Sequence, residues 1–300
     1  MPARRFRLRV GGLTLSLGPV PAGRFRPPVP VLQRFSAKRG GDLALQLVDE
    51  APPVPAPGSL LFESGGPWRV HRHRRGLLYL FRSPAFDPNP FKAVWVDARM
   101  RRGVLYAPPL RRPRLPPFPL DYPLDELLFD RRLAAGGGLM MHACGLVQDG
   151  RALLFAGISG AGKSTTARLW HRLRPGTPIL SDDRVMLRPR GGGFRAYGTP
   201  WHGDGGFGHP LDAPLGAVFL IRHARRSRAR RLAPAEAAAR IFARSFTPPW
   251  DRRLVARALA SAARVALRTP CYDFGVRPDA SAIAAALEAF RSAGRGSSTA

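Results

Sequence analysis

The run Gly157-Ile158-Ser159-Gly160-Ala161-Gly162-Lys163-Ser164 limits what this chain can fold into more than any other stretch. It meets the pattern GxxxxGK[ST] at every fixed position. Glycines at those places let successive backbone N–H groups converge on one point with no Cβ in the way. The turn works only between a strand that delivers the chain and a helix that aims its positive dipole end at the same point. Both flanks agree. Arg151 to Ala156 is an apolar run of strand length, and Thr166, Leu169, Trp170 and Leu173 recur at helical spacing. The region therefore reads as α/β, with the loop following a buried strand.

The residue types in the loop suit the phosphates of a nucleotide. Lys163 brings a point charge to the β- and γ-phosphates, and Ser164 offers a hydroxyl to Mg²⁺. With Thr165 following, Gly157 to Thr165 is expected to bind ATP with Mg²⁺. The chain has three lysines, Lys38, Lys92 and Lys163, and one of them stands where the phosphates need it.

The remaining chain is punctuated by 32 glycines and 32 prolines, which predicts many turns and short elements. Residues 1–120 read as a β-rich segment. Phe6-Leu8-Val10 alternates with arginines and Leu13-Leu15-Leu17 with small residues, around Gly11-Gly12, so a hairpin is expected. Trp68–Val70 with Leu78–Leu80, and Val94–Val96 with Val104–Tyr106, give two more. A Pro- and Arg-rich connector, Pro108 to Pro119, marks the domain boundary. Residues 121–292 form a second domain, and 293–300 read as a flexible tail. In that second domain Leu139–Val147 and Arg151–Ala156 are apolar strands joined at Asp149-Gly150, a tight-turn signal. Pro178–Leu180, Leu215–Ile221 and Tyr272–Val276 read as further strands. Helices are expected near Pro234–Ser245, near Trp250–Leu267, and over Ile283–Phe290 with Asp279 or Ser281 as its cap.

A second chemical signal is Ser181-Asp182-Asp183-Arg184 at the end of a short apolar strand. Paired acids there suit Mg²⁺ and proton transfer. Alone they would read as two solvated carboxylates. At one helix plus one strand beyond a phosphate loop, the functional reading prevails. His142 lies on the strand before the loop, where a lone histidine is more often a satisfied core residue. His71, His73, His171, His209 and His223 follow no pattern.

Composition narrows the class. The net charge is +28, carried almost entirely by scattered arginines. No basic motif interleaved with aromatics is present, so biased residue usage explains the charge better than a nucleic-acid surface. Cys144 and Cys271 are the only cysteines and build neither a disulfide framework nor a CxxC metal pair. No run approaches the ~20 apolar residues of a membrane span, and Met1 to Val10 lacks the apolar core of a signal peptide. A soluble, cytoplasmic protein is expected.

Leu139-Met140-Met141-His142-Ala143, then Asp149-Gly150, then Leu153 through Ser164, then Ser181 through Val185 resembles the bacterial HPr kinase/phosphorylase catalytic domain. That domain shares its fold with ATP-dependent phosphoenolpyruvate carboxykinase. Tyr197-Gly198-Thr199-Pro200-Trp201-His202-Gly203-Asp204 looks more like the HPr-kinase-related proteins, often found beside peptide-modification genes, including the kinases of lasso peptide pathways. The resemblance implies an α/β, mixed-sheet P-loop kinase domain preceded by a smaller β-rich domain. It implies that Lys163 binds phosphate, Ser164 and Asp182 hold the metal, Asp183 is the base that activates a substrate hydroxyl, and His142 belongs to the active site. Two departures stand out. Thr165 occupies a position that is acidic in the family, and the later Glu-Ile-Arg-Gly-Leu-Gly motif is missing, with Asp204 as a candidate replacement acid at the metal. HPr as acceptor and phosphorolysis are therefore left open.

The function expected is transfer of the γ-phosphoryl group of ATP to a hydroxyl, a serine of a peptide or small protein, with a homo-oligomer left open. Two alternatives stay open. One is a small-molecule kinase, since Gly157 to Thr165 also looks like adenylylsulfate kinases. The other is a non-catalytic nucleotide-binding regulatory or nucleic-acid-associated module.

Overall fold

A computed structural model describes residues 4–83, 87–109 and 116–295. It is mixed α/β, with two mixed sheets. The chain divides into two compact units, Met1–Phe129 and Asp130–Ala300. Part of the expected connector and of the expected tail lies outside the described residues.

The first unit is built on an eight-stranded sheet in the order β1-β2-β3-β8-β7-β6-β5-β4. Its strands are β1 (Arg4–Val10), β2 (Leu13–Val20), β3 (Leu43–Val48), β4 (Leu60–Glu63), β5 (Trp68–His73), β6 (Gly76–Ser83), β7 (Asp87–Asp97) and β8 (Arg102–Tyr106). A single turn of helix, α1 (Pro30–Arg34), lies on the crossover from β2 to β3. The three hairpins read from alternation are present as β1–β2, β5–β6 and β7–β8, each antiparallel. In β1 the alternation works as period-two patterning requires: Leu8 and Val10 are buried while Arg9 between them is exposed. The strand β3 joins the hairpins through parallel pairing to both β2 and β8.

The helix α2 (Leu124–Ala135) precedes the strands of the second unit. These are β9 (Leu139–Gln148), β10 (Arg151–Ala156), β11 (Ile179–Ser181), β12 (Arg184–Arg190), β13 (Gly193–Tyr197), β14 (Asp212–His223), β15 (Arg228–Arg231), β16 (Ser245–Phe246) and β17 (Cys271–Val276). The helices are α3 (Lys163–Leu173), α4 (Pro234–Phe242), α5 (Arg252–Arg268) and α6 (Ala280–Arg295). The turn between β9 and β10 holds Asp149 at φ 50° and Gly150 at φ 70°, the left-handed pair a two-residue hairpin turn needs.

Two long strands organise this sheet. The first half of β9 pairs with β12 and its second half with β10. The first residues of β14 pair with β13 and its later ones with β10. Strands β10, β14 and β17 run parallel, so their C-terminal ends, Ala156, His223 and Val276, gather at one edge. Ligands of α/β sheets bind at such an edge.

The parallel strands are apolar throughout because both faces are covered. Leu153, Phe155, Phe219 and Phe274 pack with Ala167, Leu169 and Trp170 of α3 and with Ile283, Ala286 and Leu287 of α6. On the other face, Leu154, Val218 and Leu220 pack with Ile241 of α4 and with Ala258, Ala262 and Val265 of α5. Phe155 stacks on Phe219 at 5.0 Å and Phe219 on Tyr272 at 5.1 Å.

Three helix boundaries differ from the sequence expectation. The helix read over Pro234–Ser245 ends at Phe242, and Ser245–Phe246 pairs instead with β9. The Arg244 carbonyl accepts from His142 N–H at 2.8 Å, which draws this backbone to the sheet. The helix read from Trp250 begins at Arg252, because Asp251 caps it by accepting from Leu254 N–H at 3.3 Å. Helix α6 includes residues 293–295, the first part of the expected tail.

Candidate active site

The Gly-rich loop leaves β10 at Ala156 and enters α3 at Lys163. Its base is anchored to the neighbouring strand, where Gly157 N–H donates to the His142 carbonyl at 3.1 Å. A Cβ at Gly157 would stand 2.7 Å from the Ala161 Cβ and 2.8 Å from Ile221, so the turn closes only without one. Gly162, with φ 98°, is the N-cap of α3 and offers no side chain to the first helical turn. The amides of that turn are thus left for a ligand. Ile158, Ser159 and Gly160 form the exposed rim; Ala161 is buried, and Thr165 is exposed. A Cβ built at Gly160 meets nothing within 4 Å, so the backbone faces open space there. These features fit a phosphate chain.

Lys163 is 5% exposed, and its ammonium donates to the Ile158 carbonyl inside the loop at 3.1 Å. The same Nζ lies 3.7 Å from Asp183 Oδ1. Burial pushes the Lys163 pKa down to about 8, and the nearby Arg184 guanidinium pushes the same way, against Asp182.

The two consecutive acids do different work. Between them and the loop they leave, Ser181 Oγ accepts from Asp183 N–H and Arg184 N–H, both at 3.3 Å, and fixes the turn from β11 to β12. Asp182 is wholly buried. Its carboxylate accepts from Gly203 N–H at 3.0 Å, Gly205 N–H at 2.8 Å and Phe207 N–H at 3.3 Å. It is the organiser of the Gly-rich turn 203–207. Asp183 points the other way. Its Oδ1 lies 2.9 Å from His142 Nε2, and its Oδ2 accepts from Arg184 Nη1. The β9–β12 ladder, with Arg184 opposite His142, sets this meeting of residues 41 apart in the chain. Arg184 lies over the Phe246 ring at 4.6 Å, and the His142 ring lies 5.6 Å from the same ring.

Ser164 joins this group through Gly203. A Cβ on Gly203 would stand 3.0 Å from Ser164 Oγ, 3.1 Å from Asp182 Oδ2 and 3.3 Å from the Asp183 Cβ. Asp204 is exposed on the same turn, and its backbone carbonyl accepts from Arg168 Nη2. Among the described residues no group of three or more His, Cys, Asp or Glu side chains is placed to hold a metal. Ser164 with one carboxylate oxygen suits Mg²⁺, which keeps waters and is completed by substrate phosphates.

Sequence reasoning assigned no part in the site to four contributors. His223, at the end of β14, reaches the loop: its Nε2 lies 2.8 Å from the Gly160 carbonyl. Its position at the C-terminal end of a strand parallel to β10 was the available signal. Phe246 lies on β16, one residue past the helix read over Pro234–Ser245. Gly203 and Gly205 matter because a Cβ on either would crowd the Asp182 carboxylate, at 2.6 Å for Gly205. Cys144 and Cys271 are buried free thiols. Burial raises both pKa values, Cys271 to about 12, which leaves neither reactive.

Comparison with known proteins adds one similarity. Residues 127–274, just short of half the chain, match a family model described as SynChlorMet cassette protein ScmC. The matched stretch contains the Gly-rich loop, the Asp182-Asp183 pair and the turn over Asp182. No curated protein matches the chain.

Proposed function

We propose that the second unit is an ATP- and Mg²⁺-dependent phosphotransferase of the HPr kinase-like type, acting on a hydroxyl acceptor. The observation that carries this reading is Asp183, a carboxylate held between His142 and Lys163 within reach of the Gly-rich loop. A plain nucleotide-binding module has no use for an oriented carboxylate beside the loop lysine. A kinase uses one to take the acceptor proton.

The residues divide the labour as follows. The amides of the loop beyond Gly157 and of the first turn of α3 cradle the phosphates, and the α3 dipole adds to them. Lys163 and Arg184 neutralise charge as it grows on the transferring oxygens. Ser164 and the Asp182 face of the Gly203 turn would hold Mg²⁺, which supplies further charge neutralisation when bound. Asp183 accepts the hydroxyl proton, and His142 fixes the carboxylate's orientation. The membership of the HPr kinase/phosphoenolpyruvate carboxykinase fold group belongs to this proposal. It rests on the order of His142, the loop and Asp182-Asp183, and on the parallel trio β10, β14 and β17.

A serine of a peptide or small protein is the acceptor this reading favours. Its support is the likeness of Tyr197–Asp204 to HPr-kinase-related proteins found beside peptide-modification genes. The test is incubation of the full chain with ATP, Mg²⁺ and peptides encoded beside its gene, with mass spectrometry to locate the phosphate. Phosphate on a peptide serine supports the reading. Rapid ATP consumption with metabolites and no peptide product would favour the small-molecule kinase. No consumption with any acceptor, despite tight ATP binding, would favour the regulatory module.

A further inference from the structure

A groove of about 880 Å³ lies elsewhere on the second unit and shares no residue with the Gly-rich loop. One wall is the strand β15 and the other is the C-terminal half of α6. The end of α5 closes it, with Leu267 70% exposed at the mouth. Its size falls within the 300–1,000 Å³ of ordinary binding sites.

Strand β15 ends the path of its sheet. Leu232 N–H donates to the Cys271 carbonyl at 2.9 Å, which fixes the phase of the β15–β17 ladder. Hydrogen-bonded pairs alternate in an antiparallel ladder, so Arg230 with Asp273 and Arg228 with Gly275 carry it. Ala229 and Arg231 then turn their N–H and C=O groups outward, along an edge that pairs with no further strand among the described residues. Such a row is a template for another strand. The groove beside it is basic, with Arg228, Arg231 and Arg268 against Glu288. Arg231 is held in place over the Tyr272 ring at 5.4 Å.

We propose that this groove binds an acidic, extended segment of a partner polypeptide, which adds to β15 as a further strand. The outward backbone groups favour a peptide over a nucleic acid, because only a peptide returns their hydrogen bonds in register. The arginines select acidic partners. They also repel a second copy of this chain, whose net charge is +28.

The site is independent of the proposed kinase reaction, so its test contains no nucleotide. The full chain is titrated against a short fluorescein-labelled peptide alternating glutamate and valine, read by anisotropy near physiological salt. Three comparison probes are used: the same peptide with lysine for glutamate, the same peptide N-methylated at alternate residues, and a single-stranded oligonucleotide of equal charge. The acidic peptide is expected to bind at least about tenfold tighter than all three. The double variant Arg228→Glu/Arg268→Glu is expected to lose that preference. Because N-methylation alters the probe and leaves the protein intact, the result does not depend on any variant folding. Equal binding of the N-methylated peptide would overturn strand addition. Tighter binding of the oligonucleotide, weakened by the same variants, would overturn the peptide assignment. Absence of any binding by the acidic peptide would overturn the proposal as a whole.

Discussion

His142 Nε2 lies 2.9 Å from Asp183 Oδ1, and the carbonyl of the same His142 accepts the N–H of Gly157, the first residue of the Gly-rich loop. One residue thus touches both the carboxylate and the base of the loop. The two substitutions that follow separate these contacts.

Asp183→Asn keeps the shape of the side chain and removes its basicity. If Asp183 takes the acceptor proton, kcat should fall on the order of 10²–10⁴-fold, with ATP affinity preserved. His142→Ala keeps the backbone bond to Gly157 and releases the Asp183 carboxylate. A positioning role predicts a drop of about tenfold or more in kcat with little change in KM for ATP. Steady-state assays across ATP concentration at saturating acceptor measure both the loss in kcat and the KM for ATP.

Lys163 gives a pH signature. Its folded pKa of about 8 lies below its ordinary 10.5 because the ammonium is buried. Between these values the unfolded chain binds more protons than the folded one, so this group's contribution to stability rises with pH across that window. Below about pH 8 the cost of burying the charge is present in full. Lys163→Met should therefore be more stable than the parent chain at pH 7, with the advantage shrinking toward pH 10, as read by chemical denaturation. ATP affinity should move oppositely in the parent chain, falling above pH 8, with proton uptake on binding visible by calorimetry in buffers of different ionisation heat.

Asp182 should matter for stability before it matters for rate. Asp182→Ala strands the N–H groups of Gly203, Gly205 and Phe207 beside a new void. Loss of hydrogen bonds to a buried charge predicts destabilisation of about 2–4 kcal/mol by urea denaturation. A loss under 0.5 kcal/mol, on the scale of a surface substitution, would contradict this role.

Gly203→Ala probes the metal side of the site. The added Cβ would meet Ser164 Oγ at 3.0 Å and Asp182 Oδ2 at 3.1 Å. The concentration of Mg²⁺ giving half-maximal rate should rise several-fold, while nucleotide binding without metal stays near that of the parent chain.

How much of this was legible in the sequence depended on how local each signal was. The loop, β10 and α3 were readable because GxxxxGK[ST], an apolar run and an i, i+3, i+4 pattern lie within about 25 residues. The hairpins were readable from period-two alternation and Gly11-Gly12. Strand β15, Arg-Ala-Arg-Arg, carries no apolar pattern; it is a strand only because β17 needs an edge partner. Strand β16 looked like the end of a helix until β9 claimed it. The divergence of Asp182 and Asp183 was hidden for a similar reason. Neighbouring side chains at a strand end point to opposite sides, and what waits on each side, the 203–207 turn or His142, comes from distant sequence.

The most direct measurement is a single-turnover transfer with γ-labelled ATP, Mg²⁺ and a serine peptide acceptor, comparing the parent chain with Asp183→Asn at matched nucleotide occupancy. A catalytic Asp183 requires label on the serine hydroxyl with the parent chain and almost none with the variant. Equal labelling by both, or hydrolysis of ATP with no labelled acceptor from either, would contradict it.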